Sequence, residues 1–523
     1  MPGLKAAAPT SIGENQHTRA ELVLSLTLLA AISIAAAWFR LHQIGAKGFW
    51  MDEGITTAYM RLDWYNLVRL LWRREANMSF YFLLLTGWLQ FGSSEAWYRG
   101  FSALTAVATV PVLYAIGKRL FGTMAGLTSA LLLAVNAYHV RYAQDARSYS
   151  LTIFLVALAT YFFIRGVETG KRVHWRWYVT CSALSVYSHF FGVLVVAAHW
   201  ASIRSLPLPS QPRTDSSDPQ HGFCRAAKWI GLWTLPVWVF IATTGVGVLS
   251  WMKRPGLGEL YSFLEQFAGN GGGLLLSMYL ICFASALTSM VRSWRRHGRS
   301  IESWRYAVVF CWLIVPVLIT LAVTLVRPVF LPRYLSISLP GFCLIAAAGV
   351  ASLRQRWLAV PILGLICWFG WGGIRSYYEK DFDVLRADYR AVTRYVVENA
   401  RSGDAILFYP SYGRFAYDYY AARLADAKSK PMILYPGQGD RLVWRDFMGK
   451  ASPQVLDGAT RDYRRVWFVL SNYTGPQSED QPSQQMKTAI GSRFRVVDAY
   501  DFTGVRLYLY APQESGGSPR EHN

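Results

Sequence analysis

The residues best placed to do chemistry lie in short polar stretches between long apolar runs. In WMDEGIT, Trp50 to Thr56, two acids stand side by side at Asp52 and Glu53, a few residues beyond the first apolar run. A carboxylate can accept a proton from a reacting hydroxyl, and acids near apolar surface are costly to desolvate and often mark function. The same pair could also serve as solvated acids capping a helix. A second cluster, RYAQDARSYS, gathers Gln144, Asp145, Arg147 and Tyr149; an Asp–Arg pair capping the next helix is its plainer reading. A third, RPVFLPRYL, holds Arg333 and Tyr334. Its prolines stop one helix and start the next, which leaves the Arg–Tyr pair unexplained. The bidentate guanidinium fork suits a lipid phosphate. A fourth, SWMKRPGLGEL, adds Lys253 and Arg254, for which headgroup contact is a sufficient account. Together these four are the equipment needed to bind an anionic phospholipid sugar and to activate an acceptor hydroxyl.

The elements that must position them are membrane helices. Of 523 residues, 53% are hydrophobic and only 16% charged, against roughly a quarter charged in soluble domains. Runs of about twenty apolar residues span a bilayer, and about eleven candidates occur: Glu21–Phe39, Tyr98–Ile116, Met124–Tyr138, Tyr149–Ile164, Trp177–Tyr187, Phe190–Ile203, Trp229–Ser250, Gly272–Val291, Tyr306–Val326, Tyr334–Leu353 and Trp357–Ile374. Loops with Lys118 and Arg119, with Arg165 to Arg176, with Arg204 to Lys228, with Arg292 to Arg305, and with Arg354 and Arg356 all fall on one side if the N-terminus is cytoplasmic. The positive-inside rule makes that side the cytoplasm. All four polar clusters then face outward.

The first outer loop, residues 40–97, carries several arginines against that rule. Within it, MSFYFLLLTGWLQF (Met78–Phe91) is short for a span and reads as a helix lying at the outer membrane surface. Residues 1–20 read as a cytoplasmic tail, and the first run, lacking a small-residue cleavage site, as an uncleaved helix. Arg204–Lys228 is rich in Pro, Ser and Asp and reads as a flexible loop. Residues 21–374 form the membrane domain. Residues 375–523 are charged, with a helical pattern at Asp388–Ala400 and strands at AILFY, RRVWFVLS and VRLYLY. They read as a small soluble α/β domain, placed outside by the odd span count.

Net charge is +21. The basic residues cluster at the ends of apolar runs, where they meet anionic headgroups, so the charge does not point to nucleic acid. Five of the six cysteines lie in apolar runs and no pair has ligand spacing, which argues against disulfides and metal–thiolate sites.

The motifs WMDEGIT, EANMSFYFLLLTGWLQFG, SEAWYRGFSAL, YAQDARSYSL and RPVFLPRYLSISLPG, taken together, resemble the family 39 glycosyltransferases. This membrane superfamily, with the GT-C fold, includes protein O-mannosyltransferases and bacterial aminoarabinose transferases. The resemblance covers most of Glu21 to Leu353, and DYRAVTRYVVENARSGDAILFYP is similar to the soluble outer domain of bacterial members. It implies a polyprenyl-phosphate sugar donor and a periplasmic acceptor at a bacterial inner membrane. By motif match, Asp52 would be the catalytic base, Glu53 its neighbour, Asp145 the acid of the second outer loop, and Arg333 with Tyr334 the pair near the donor phosphate. Asn77 and Tyr81 fall in the matched segment as candidate substrate contacts. Where many members carry His-Pro-Pro, this chain reads Asn77-Met78-Ser79, so no histidine role carries over.

The expected reaction is an inverting transfer of a monosaccharide to an acceptor hydroxyl. Asp52 takes the proton and Arg333, with Lys253 or Arg254, steadies the departing phosphate. Gln144, Arg147 and Tyr149 would contact sugar or acceptor. No metal is required, though a divalent cation near the acids and phosphate remains open. The acceptor is a protein, a lipid or a polysaccharide. Two rivals share these features: a flippase for a lipid-linked glycan, and an outer-face oligosaccharide ligase or polymerase. The transporter reading lacks an internal repeat and mid-membrane acids.

Overall fold

Long apolar runs must close every backbone hydrogen bond internally in a bilayer, and they do so here as helices. The computed structural model describes residues 12–207, 218–244, 254–380, 386–424, 430–435, 463–472 and 479–512. Two compact units emerge. One takes Met1–His42, Ser102–Gln144 and Ser148–Arg375; the other takes Gln43–Phe101, Asp145–Arg147 and Ser376–Asn523.

The first unit is helical. Among the described residues, seven helices are long and apolar enough to cross a membrane: Arg19–Leu41, Glu95–Phe121, Tyr149–Thr169, Gly272–His297, Ile301–Val326, Pro332–Ala351 and Ala359–Glu379. Two bent pairs, if each is counted as one span, bring the number among the described residues to nine. This is a multi-pass membrane protein. The remaining two of the eleven expected runs fall on Arg172–Ser188 and Gly192–Ile203, of 17 and 12 residues, shorter than the twenty or so residues a span needs. The helix holding the first run begins at Ile12, inside the stretch expected to be an unpatterned tail.

Two other expectations need correction. The run Met124–Tyr138 is not continuous: Thr123–Ala134 and Ala137–Ala143 meet at 61°. Asn136 causes the break. Its side chain accepts from the His139 N–H as an N-cap and donates to the Phe267 carbonyl at 2.9 Å, satisfying groups a straight helix would leave to its own ladder. The stretch Arg204–Lys228 is not loop throughout, because Asp218 caps a helix over Pro219–Trp233; residues 208–217 of that stretch lie outside the described ones.

Carbonyls freed at the 61° bend are met by Arg40, which is fully buried. Its guanidinium donates to Leu133 O at 2.9 Å and Ala134 O at 3.1 Å. Leu339–Val350, inside the most buried span, packs with every residue buried. A Cβ on Gly349 would fall 1.9 Å from the Cys282 carbonyl oxygen, so only glycine permits that helix approach.

The second unit contains a five-stranded sheet in the order β2-β1-β3-β5-β4, with β1 Asp404–Tyr409, β2 Met432–Tyr435, β3 Arg465–Ser471, β4 Phe494–Phe502 and β5 Val505–Pro512. Strand β1 is buried at every residue and runs parallel to both β2 and β3, as expected of a continuous apolar strand covered on both faces. The expected strands AILFY, RRVWFVLS and VRLYLY become β1, β3 and β5, and the expected helix is Tyr389–Asn399. The Gly/Ser-bearing end of the sequence, residues 513–523, expected as a tail, lies outside the described residues. In the same unit the first loop folds as helices Met51–Tyr59, Trp64–Arg73 and Ser79–Trp88, the last followed by a 3-10 turn, Leu89–Phe91.

Candidate active site

Helix Met51–Tyr59 starts at the acid pair, with both acids in its first turn, where the positive end of the helix dipole favours them. Successive helical residues point about 100° apart, so neighbours in sequence meet different surroundings. Glu53 turns inward. Arg99 donates to it twice, Nε to Oε1 at 2.7 Å and Nη2 to Oε2 at 2.6 Å. Arg386 Nη2 adds a bond of 3.1 Å and the Ala146 N–H one of 3.0 Å. Burial works against the Glu53 charge, yet Arg99 and Arg386 hold its carboxyl below the ordinary range. Arg99 also grips the chain before the helix, donating to the carbonyls of Ile44, Lys47 and Gly48 at 2.8 to 3.1 Å.

Asp52 faces elsewhere. Its Oδ2 lies 4.0 Å from Arg147 Nε, and its side chain keeps 10% exposure against none for Glu53. The segment Asp145–Arg147 is stapled to this helix. Trp50 Nε1 donates to Asp145 Oδ1 at 3.0 Å and Thr56 Oγ1 donates to the Ala146 carbonyl at 3.2 Å. Burial, and then the Glu53 charge, push the Asp145 carboxyl up to about 6. Glu75 completes the group by accepting from the Tyr59 hydroxyl at 3.3 Å. Burial pushes it up to about 7, against the opposing pull of Arg147. Burial thus raises two acids of the cluster above the ordinary carboxylate range.

Gly54, next to the acids, lets helix Gly413–Ala421 come close: a Cβ there would meet the Ala416 nitrogen at 3.1 Å. Arg390 ties the preceding loop, donating to Gly45, Ala46 and Lys47 carbonyls and to Glu95. The acid-bearing helix thus has fixed supports on several sides.

Of the expected site residues, Asp52, Glu53, Asp145 and Arg147 converge. Asn77 and Tyr81 belong to the same unit. Asn77 precedes Met78, which takes a left-handed φ of 67° before helix Ser79–Trp88, and Tyr81 is fully buried, its ring 5.7 Å from those of Phe82 and Phe101. Gln144 and Tyr149 belong to the helical unit. Gln144 donates to the carbonyls of Arg40 and His42 at 3.1 and 2.7 Å, closing the end of the first helix. Tyr149 is buried against Tyr142, ring centroids 5.1 Å apart. In that unit too, Tyr334 packs on His189 and Phe191 at 4.9 and 5.2 Å, with the Arg333 guanidinium 5.8 Å from its ring. Arg254 donates to the Leu325 carbonyl at 2.9 Å. Lys253 lies outside the described residues. Among the described residues no group of three or more His, Cys, Asp or Glu could hold a metal ion.

Arg99, Arg386, Glu75, Tyr59 and Trp50 were not singled out from sequence. Arg99 and Glu75 lie inside the motifs SEAWYRG and EANMS, so a signal existed, but nothing in spacing said which charge would face the acid pair.

Residues 75–203 match a family model described as dolichyl-phosphate-mannose-protein mannosyltransferase. ArnT from Cupriavidus metallidurans, in its apo state, is similar with a TM-score of 0.58 at 11% identity, covering 94% of this chain and 98% of that one; bound to undecaprenyl phosphate, the same protein gives 0.56 at 13%, over 96% and 99%. The Archaeoglobus fulgidus oligosaccharyltransferase, in complex with Zn and sulfate, gives 0.52 at 11%, over 93% and 73%. The chain has the GT-C fold. No curated protein matches the sequence. The GT-C fold and the family match over residues 75–203 both agree with the resemblance drawn from the motifs.

Proposed function

We propose that the chain transfers a monosaccharide from a polyprenyl-phosphate donor to an acceptor hydroxyl, with inversion, and that Asp52 is the general base. The observation that carries this reading is the unequal treatment of the acid pair. Glu53 accepts four hydrogen bonds as a carboxylate and has no capacity left for a substrate proton. Asp52 stands on the same turn with its side chain 10% exposed and its Oδ2 4.0 Å from the Arg147 guanidinium. A base held on a fixed support at the edge of a closed charge network suits proton abstraction from a hydroxyl.

In this reading Asp145 and Glu75 tune the charge around Asp52, and Arg147 steadies the acceptor or sugar. Asn77, Tyr81, Gln144 and Tyr149 shape the surroundings rather than react. Arg333 and Tyr334, with Lys253 and Arg254, take the lipid phosphate. A phosphate leaves without prior protonation, so cationic side chains meet its charge and no resident metal is invoked. Activity lost to a chelator and restored by one cation would overturn that part. The undecaprenyl phosphate in the ArnT complex and the dolichyl-phosphate-mannose of the matching family description both favour a polyprenyl-phosphate donor. The proposed setting is a bacterial inner membrane, N-terminus cytoplasmic, with residues 375–523 periplasmic. The acceptor is a protein, lipid or polysaccharide.

The test is Asp52→Asn, assayed with a polyprenyl-phosphate monosaccharide. Transfer should fall by about 10²–10⁴-fold with the thermal unfolding midpoint unchanged. Full activity in that variant sinks the assignment. A donor carrying an oligosaccharide on a pyrophosphate, accepted in preference, would favour a ligase or polymerase instead.

A further inference from the structure

Away from the acid cluster, four helix ends of the membrane unit surround a cleft of about 620 Å³. Lys118 and Arg119 close one helix, Arg292 and Arg296 stand one turn apart near the end of another, and Arg305 lies in the second turn of a third. The rings of Phe121 and Tyr306, 5.0 Å apart, form part of an apolar wall. The cleft lies among the arginine-rich loops, the side that the charge pattern assigns to the cytoplasm.

Positive loops alone account for cations at this level, but not for their convergence on one concavity or for their pairing. The acid among the lining residues is Glu302, which pairs with His297 at 3.5 Å. Arg119 bonds Glu168 at 2.9 Å. Among the described residues Arg292 and Arg296 have no hydrogen-bond or ion-pair partner. Like charges gathered in excess of their counter-charges repel one another unless an anion joins them.

We propose that this cleft binds the headgroup of an anionic membrane phospholipid, one carrying two phosphodiesters. Arg292 and Arg296 form the guanidinium pair that clamps phosphate, Lys118 and Arg305 add charge, and the aromatic wall receives the glycerol and first acyl carbons. Basic pockets between helices on this membrane face are suited to such headgroups. The shared chemistry is phosphate ester recognition, and a soluble polyphosphate is the other possible source.

The test is native mass spectrometry of the full chain with diphosphatidylglycerol, with phosphatidylethanolamine as zwitterionic control. One diphosphatidylglycerol should be retained, and Arg292→Gln with Arg296→Gln should weaken it about 30-fold. Lys118→Gln alone should weaken it about fivefold, which keeps the claim testable if the double variant misfolds. Arg172→Gln with Arg176→Gln, an exposed pair of the same spacing on the same face, should leave it unchanged. Equal weakening in both pairs, or none in either, overturns the proposal. Displacement of the lipid by equimolar inorganic pyrophosphate overturns the lipid as source.

Discussion

Two arginine-rich regions of this molecule are organised in opposite ways. Around the acid pair, Arg99 directs all its donors at partners, two bonds to Glu53 and three to carbonyls. In the cleft of the membrane unit, Arg292 and Arg296 are exposed and bond to nothing described. The first arrangement resembles a buried ion pair, whose value is geometric: removing one partner strands the other charge. The second contributes little to stability, because exposed cations lose nothing to desolvation. Counting charges would rank the two regions alike, whereas tracing their partners separates a support from a binding surface.

The contrast can be broken or sharpened by substitution. Arg99→Ala should cost about 3–5 kcal/mol, because Glu53 is left buried with reduced compensation; thermal unfolding of the purified full chain checks this, and an unchanged midpoint would remove Arg99 from the framework. Gly54→Val should cost about 1–3 kcal/mol by overpacking against Ala416, with transfer activity falling alongside, since the same turn carries Asp52. Asp145→Asn tests the titration. The folded carboxyl sits at about 6, above its ordinary 3.8, so folding takes up a proton. Its favourable contribution is full below 3.8 and is lost as pH rises through 6. The Asn variant should therefore gain stability relative to the parent as pH climbs across that window, and a parallel pair of pH–midpoint curves would refute the shift. Smallest of all, Arg292→Gln with Arg296→Gln should change the unfolding free energy by under about 0.5 kcal/mol in a zwitterionic lipid, in contrast to Arg99→Ala.

Much of the fold was legible because its causes are local. Apolar runs set the helices, and the break at Ser188–His189 appears between Arg172–Ser188 and Gly192–Ile203 as expected. The bend at Asn136 was missed because its cap competes with an apolar run that continues past it. Strand β4, FRVVDAYDF, was missed as well; a register shift between Val496 and Asp498 interrupts its alternation. In the site, Asp52 and Asp145 stood out as acids in polar stretches. Arg386 lies 333 residues from Glu53, and no periodicity relates positions so far apart.

The amino-acid sequence by itself determined that this is a helical membrane protein with an acid pair following its first apolar run, since length, hydropathy and residue type act over a few neighbours at a time. Only the tertiary structure decided which acid is enclosed by four hydrogen bonds and which lies beside Arg147. That choice depends on a helical turn of about 100° and on arginines that folding delivers from Arg99, Arg147 and Arg386, and such long-range pairings are set by packing rather than by spacing.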